Sequence, residues 1–160
     1  MVAPYVPKSE FLKAVVTDDL PLSGELGEGN LRQLIELMRD NDRSNRDWAT
    51  FLLAQADVDT AVVRDALIYA TKDEEEIVRA EAVLGLAKRD TSLALPLVRE
   101  ALRADSVAIP MLEAAALCAH PSLIADLRAW AEPSSNSYAD QAAAEALSLR
   151  KVCRSRLMSP

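Results

Sequence analysis

The residues in this chain that could do chemistry are few, and their spacing limits what they can do. A catalytic site needs a nucleophile, a base or a metal cluster. His120 is the single histidine, directly before Pro121 at a helix junction, and reads as a capping or surface residue. Cys118 and Cys153 stand 35 positions apart with no second histidine, so no zinc-ligand spacing appears. None of the patterns GxxxxGK[ST], GxGxxG or GxSxG occurs. The strongest acidic run is Asp73-Glu74-Glu75-Glu76. A divalent cation wants oxygens converging from a turn shaped by glycine. This run instead suits a helix start, where carboxylates favour the positive end of the dipole. The sequence therefore predicts no catalytic residue, no metal site and no cofactor, and a protein that is not an enzyme.

Charge and composition narrow the class further. Half of the 160 residues are apolar and only 4% are aromatic, the apolar set being mostly Ala, Leu and Val. Small side chains of that kind let helix axes approach closely, and four glycines with few alternating β-branched runs leave little material for a sheet. Net charge is −7, the wrong sign for a general nucleic-acid binder, which needs a basic footprint to displace counterions. The local exception, Arg150-Lys151-Val152-Cys153-Arg154-Ser155-Arg156, reads as a helix end whose cations suit the C-terminal dipole. Cys118 falls where a small buried hydrophobe is wanted. Two unpaired thiols, no long apolar run and no signal-like start predict a reduced, soluble, cytoplasmic protein without a membrane segment.

These few groups hang on a helical frame. Residues 1–29 form a leader holding three of the eight prolines and three of the four glycines. Within it Ser9 to Val16 reads as a short helix with Ser9 as N-cap, and Thr17 to Asn30 as an irregular connection. From 30 to 150 the chain is almost all helix. Leu31, Leu34, Ile35 and Met38 share one stripe; Ser44 opens the next helix with Asp47 three residues on; Asp59 or Thr60 starts a third carrying Val63, Ala66, Leu67 and Ala70 on one face. Residues 74–89, Thr91–Ala104 (using Leu95, Val98 and Leu102), Ser106–Ala119, Pro121–Ala131 and Asn136 to about Arg150 complete eight helices. Residues 151–160 are left as a basic tail. Connections of two to five residues force neighbouring helices to lie antiparallel.

The helices repeat. Val78-Arg79-Ala80-Glu81-Ala82-Val83-Leu84-Gly85-Leu86-Ala87 has a counterpart 33 residues upstream, Asn45-Arg46-Asp47-Trp48-Ala49-Thr50-Phe51-Leu52-Leu53-Ala54. Another lies 32 residues downstream, Pro110 to Ala119, keeping Glu113, Ala114 and Ala119, and a degenerate one aligns Ala143 and Leu147. Second helices align as well, Val63 with Leu95 and Ile124, and Ala66 with Val98 and Leu127. A period near thirty with one helix pair per copy marks a stacked array. On the residues Val78-Arg79-x-x-Ala82-Val83-x-Gly85-Leu86-Ala87 the chain resembles the HEAT-repeat proteins, in particular short bacterial ones related to the HEAT-like repeats of phycobilisome lyases. The resemblance covers about 30–150 and implies an all-α fold, an armadillo-like α-solenoid of antiparallel helix pairs. It also implies a hydrogen-bonded ladder of Asp40, Arg46, Asp73 and Arg79. The third copy keeps Asp105 but has Met111 in place of the arginine, so the ladder is expected to end before the C-terminal units.

Function must then be sought on faces. Trp48 aligns with Glu81 and Glu113, positions read as solvent-facing, so the leader or the Leu31–Met38 helix is expected to cover it, unless Trp48 and Phe51 form a partner patch. The resemblance places second helices along a concave face. Off their packing stripe they carry Arg64, Tyr69, Lys72, Arg99, Arg103, Arg128 and Trp130, with Arg99 and Arg103 one turn apart. Arg, Tyr and Trp dominate binding hot spots, and a basic, aromatic groove on an acidic protein selects an acidic segment. Ordinary solvated faces with snorkelling arginine stems explain the same residues. The leading expectation is a non-catalytic protein-interaction scaffold, whether adaptor, chaperone-like or toxin-neutralising, whose partner is another protein. The alternatives are a bilin-lyase-like protein and a HEAT-like nucleic-acid binder; paucity of aromatics and the acidic charge weigh against them.

Overall fold

Helix starts are set by short polar side chains that accept otherwise unpaired backbone N–H groups. In the computed structural model, which describes residues 5–133 and 136–157 with side-chain detail through residue 148, nine α-helices occur among the described residues. They are α1 (Glu10–Val16), α2 (Gly27–Leu37), α3 (Arg43–Gln55), α4 (Ala61–Ala70), α5 (Glu76–Arg89), α6 (Thr91–Ala101), α7 (Ile109–Cys118), α8 (Ile124–Trp130) and α9 (Ser137–Leu157). No strand is present among these residues, and the chain is an all-α protein of the α-solenoid class.

Several caps follow the sequence. Ser9 accepts from Leu12 N–H to open α1, and Thr60 from Val63 N–H to open α4. Others differ. Asp42, rather than Ser44, caps α3, accepting from the N–H groups of Ser44 at 2.9 Å and Asn45 at 3.4 Å. A carboxylate placed two residues earlier reaches both donors, which a hydroxyl at Ser44 cannot. The stretch read as irregular up to Asn30 turns helical already at Gly27. There a Cβ would meet the Leu22 carbonyl carbon at 2.6 Å, so only glycine lets the loop lie so close. Pro121–Leu123 forms a 3₁₀ turn leading into α8.

The chain divides into two compact units, 1–85 and 86–160, with the boundary inside α5. In the first, α3 packs against α1, α2 and α4. Its core is Leu12, Leu34, Met38, Ala49, Leu53, Val63, Leu67 and Val78. Gly85 meets α3 so closely that a Cβ would lie 2.9 Å from the Ala54 Cβ and 3.0 Å from Leu67 Cδ2. In the second unit α7 packs on α6 and α9, and α8 on α9, around Val98, Leu102, Leu112, Leu123, Leu127 and Ala143. The helical backbone of α9 runs on to Leu157, through positions read as a basic tail. The side chains of Arg150, Lys151, Cys153, Arg154 and Arg156 lie outside the described residues.

Candidate functional site

In the first unit, the loops before α3 and α5 carry a polar framework built to one plan. Arg46 Nη1 donates to the carbonyls of Asp40 (3.1 Å) and Asn41 (3.3 Å), six and five residues before it. Arg79 Nη1 does the same with Asp73 and Glu74, both at 2.8 Å. In each loop the aspartate that begins the motif folds back on the chain: Asp40 Oδ1 accepts from Asp42 N–H and Asp73 Oδ1 from Glu75 N–H. Arg46 also spans the two loops, giving Nε to Asp73 Oδ2 at 2.9 Å and Nη2 to Glu74 Oε1 at 2.8 Å. The hydrogen bond to Asp73 is the main reason its guanidinium is held more firmly charged than usual. Arg43 joins Glu75 at 3.2 Å. The acidic run thus acts as a docking strip for the arginines of α3. In the second unit Met111 is buried and Asp105 exposed, so the third copy has no arginine clasp.

Trp48 is covered by the leader. Tyr5 stacks on it with ring centroids 6.1 Å apart and an interplanar angle of 24°, and Phe51 meets it edge-on at 5.8 Å. Among the described residues the leader is held by polar contacts that include Tyr5 Oη to Asp47 (2.7 Å), Lys8 to Asp42 (2.5 Å), Ser9 N–H to Asn45 Oδ1 (3.0 Å) and Ser44 Oγ to the Val6 carbonyl (3.4 Å). Burial, then the bond to Asp47, raises the Tyr5 phenol above its ordinary pKa; the ammonium of Lys8 lowers the Asp42 carboxyl. Glu81, aligned with Trp48 and read as solvent-facing, is instead buried.

The second-helix residues divide between the units. In the first, Arg64 folds back on Asp59 at 2.7 Å and is half-buried, whereas Tyr69 is 54% exposed. In the second, the cations stitch α6 to the segment ahead of and along α8. Arg99 Nη2 donates to Ser122 Oγ at 2.9 Å and Arg103 Nε to Asp126 Oδ2 at 3.2 Å. Trp130 Nε1 donates to the Leu102 carbonyl at 2.8 Å, closing the end of α6. Arg128 is exposed. Arg99, Arg103 and Trp130 each have a partner within the second unit, because one helical repeat brings α8 and the turn before it alongside α6.

His120 caps the 3₁₀ turn. Its Nδ1 accepts from Ser122 N–H at 3.2 Å and lies 2.9 Å from Ser122 Oγ. The Ser122 hydroxyl is also held by Arg99, so this cluster orders a turn. Cys118 is half-buried, its Sγ 3.8 Å from the Thr91 carbonyl, and burial pushes the thiol up to about 11. Among the described residues no group of three His, Cys, Asp or Glu side chains could hold a metal ion.

One cleft collects the remaining open chemistry. Between the ends of α2 and α4, a cavity of about 470 Å³ is lined by Met38, Arg39, Asp40, Asn41, Arg46, Tyr69, Lys72, Asp73 and Glu74. The Arg39 guanidinium carbon sits 4.5 Å above the Tyr69 ring. Sequence reasoning named Tyr69 and Lys72 but missed Arg39. The available signal was its distance from Tyr69, about one repeat period, which places the two at equivalent ends of neighbouring second helices.

The buried arginine clasps, the small-residue helix contact at Gly85 and the paired helices are those of a repeat array, and comparison with known proteins agrees. A model for HEAT repeats matches residues 31–115, and the chain belongs to the HEAT-repeat family. It is 32% identical over 82 residues to protein YibA of Escherichia coli, strains K12 and O157:H7 alike, a match spanning 51% of this chain and 29% of the relative. The match thus takes in less than a third of the relatives' length. The X-ray structure of YibA superposes with a TM-score of 0.62 at 21% identity, over 87% of this chain and 54% of that one. Human deoxyhypusine hydroxylase in complex with glycerol gives 0.53 at 22%, over 83% of this chain and 46% of that one. At those identities the likeness is one of fold. Among the described residues no helix is long and apolar enough to cross a membrane.

Proposed function

We propose that this chain is a non-catalytic protein-interaction module, its partner another protein engaged by exposed second-helix faces. The observation that carries this reading is the surface of α4. Val62, Ile68 and Tyr69 stand 63%, 39% and 54% exposed on ten residues of helix, while Val63, Ala66, Leu67 and Ala70 of the same helix fill the core. A helix that shows apolar side chains on its outer side, here around the exposed Asp65, as well as on its inner one has surface to bury against something else. Tyr69, with its cationic lid Arg39, is the residue type that carries binding energy when it is covered. The net charge of −7 supports a protein partner over a polyanionic one.

The test is affinity capture from the cells that make the protein, comparing wild type with the double variant Val62→Glu, Ile68→Glu. Both positions are exposed, so the variant is expected to keep its helical circular dichroism. The reading requires at least one protein captured by wild type and lost from the variant; identical profiles would sink it.

A further inference from the structure

Cations on this protein are generally spoken for. Lys8, Lys13, Arg43, Arg46, Arg64 and Arg103 each lie within ion-pair distance of a carboxylate. Arg79 is spent on backbone carbonyls and Arg99 on a hydroxyl. Arg39 and Lys72 are different, sharing with the exposed Arg128 of the second unit the lack of such a partner among the described residues. Both are exposed, neither has a carboxylate within ion-pair distance among the described residues, and both line the cleft between α2 and α4 together with the half-open Tyr69 ring. The third cation of the lining, Arg46, is tied to Asp73 and Glu74, so Arg39 and Lys72 are the cleft's cations without an ion-pair partner.

The stacking of Arg39 on Tyr69 makes that charge useful. With its face on the ring, a guanidinium keeps its edge N–H donors free and its plane fixed, which lowers the entropy lost when it meets a carboxylate. The same lining holds Asp40, Asp73 and Glu74; Arg46 pairs with the last two, and the Glu74 side chain is 79% exposed. Those oxygens weigh against a dianionic phosphate more than against a singly charged carboxylate, and they can accept backbone N–H groups of a polypeptide. The volume, about 470 Å³, suits a few residues of extended chain. A second copy of this chain is a poor occupant, because its strongest acidic run is already tied to Arg43 and Arg46.

We propose that this cleft seats an acidic segment of the partner protein, a carboxylate held between Arg39 and Lys72 with a neighbouring apolar side chain laid on Tyr69. The proposal rests on the reading of the chain as a protein-binding module and specifies where and by what chemistry it binds.

The experiment is selection of random octapeptides displayed on phage against the full chain, followed by calorimetry with the synthetic consensus peptide. Enriched peptides are expected to pair Asp or Glu with an adjacent apolar residue. Affinity should fall at least tenfold in Arg39→Ala, Lys72→Ala, at least fivefold in Tyr69→Ala, and tenfold when the peptide's acids become amides. Circular dichroism checks that these surface variants stay folded. The proposal is overturned if no peptide is enriched or if the consensus lacks acids. It is equally overturned if the double variant binds within twofold of wild type, or if a phosphoserine peptide or single-stranded oligonucleotide binds more tightly. Cellular capture separates the two readings: partners retained by the Arg39, Lys72 variant but lost with Val62→Glu, Ile68→Glu leave the module standing and remove this seat. Failure of capture by wild type removes the module itself.

Discussion

Arg46 of α3 lays two guanidinium nitrogens against the two carboxylate oxygens of Asp73, at 2.9 and 3.3 Å, with only 11% and 10% of the respective side chains exposed. Its remaining nitrogen holds two loop carbonyls, so one side chain fastens its own loop and the next. Removing it leaves Asp73 buried and unpaired. Arg46→Ala is expected to cost about 3 kcal/mol, a loss seen in chemical denaturation as a lower midpoint. Arg79→Ala, which gives up hydrogen bonds to two carbonyls, should cost about 1–2 kcal/mol. Equal losses, or the reverse order, would refute the assignment of Arg46 as the spanning member.

A second expectation concerns Gly85. Alanine at a helix interior is ordinarily worth about 1 kcal/mol over glycine. Here the added Cβ would sit 2.9 Å from that of Ala54, and overpacking of this kind costs about 1–3 kcal/mol. The clash wins because its main neighbours, Ala54 Cα and Cβ, belong to a helix that cannot swing aside. Gly85→Ala should destabilise, and Ala54→Gly should be less harmful in that background than alone. Strict additivity of the two changes would show that the helices part freely.

Leader docking has a pH window with two different edges. The folded-state pKa of Asp42 is depressed below its ordinary 3.8, chiefly by Lys8, so its contribution is present above that value and lost as pH falls through the folded one. Tyr5 is raised above 10.0, so its contribution is complete below that value and lost as pH climbs through the folded one. Fluorescence of Trp48, read in a Trp130→Phe background, should therefore shift on both sides while far-ultraviolet dichroism holds. Lys8→Ala should move the acid edge towards neutral and leave the alkaline edge in place. A Trp48 signal that stays flat on both sides until the helical dichroism itself is lost is the contrary result.

The thiol of Cys118, held near 11 by burial, should be nearly inert at pH 7.5. In a Cys153→Ser variant, modification by an aromatic disulfide reagent is expected to run at least tenfold slower than for a free cysteine, and to match it after denaturation. Rapid modification of the folded protein would place the sulfur at the surface.

The repeat frame was readable because a packed helix pair needs small and branched residues at fixed intervals, and Val63, Ala66, Leu67 and Ala70 are buried as their spacing predicts. Polar ends were less readable. Asp42, Ser44 and Asp47 all suit a helix start, and only the loop path selects Asp42. Faces were hardest. Arg99 and Arg103 look like free cations until α8 brings Ser122 and Asp126 beside them. Glu81 looks solvent-facing until it is found buried. Arg39 carries no motif at all, and its meaning comes from Tyr69, thirty residues away, being a neighbour in space.

The arginine clasp has an evolutionary side. Donor and acceptors fall within seven consecutive residues, Asp40 to Arg46 and again Asp73 to Arg79, so the device is inherited whole whenever a short stretch of gene is copied. Met111 stands where an arginine would close the third copy, and because Arg46 reaches into the following loop, the latch it closes leans on the acids of its neighbour.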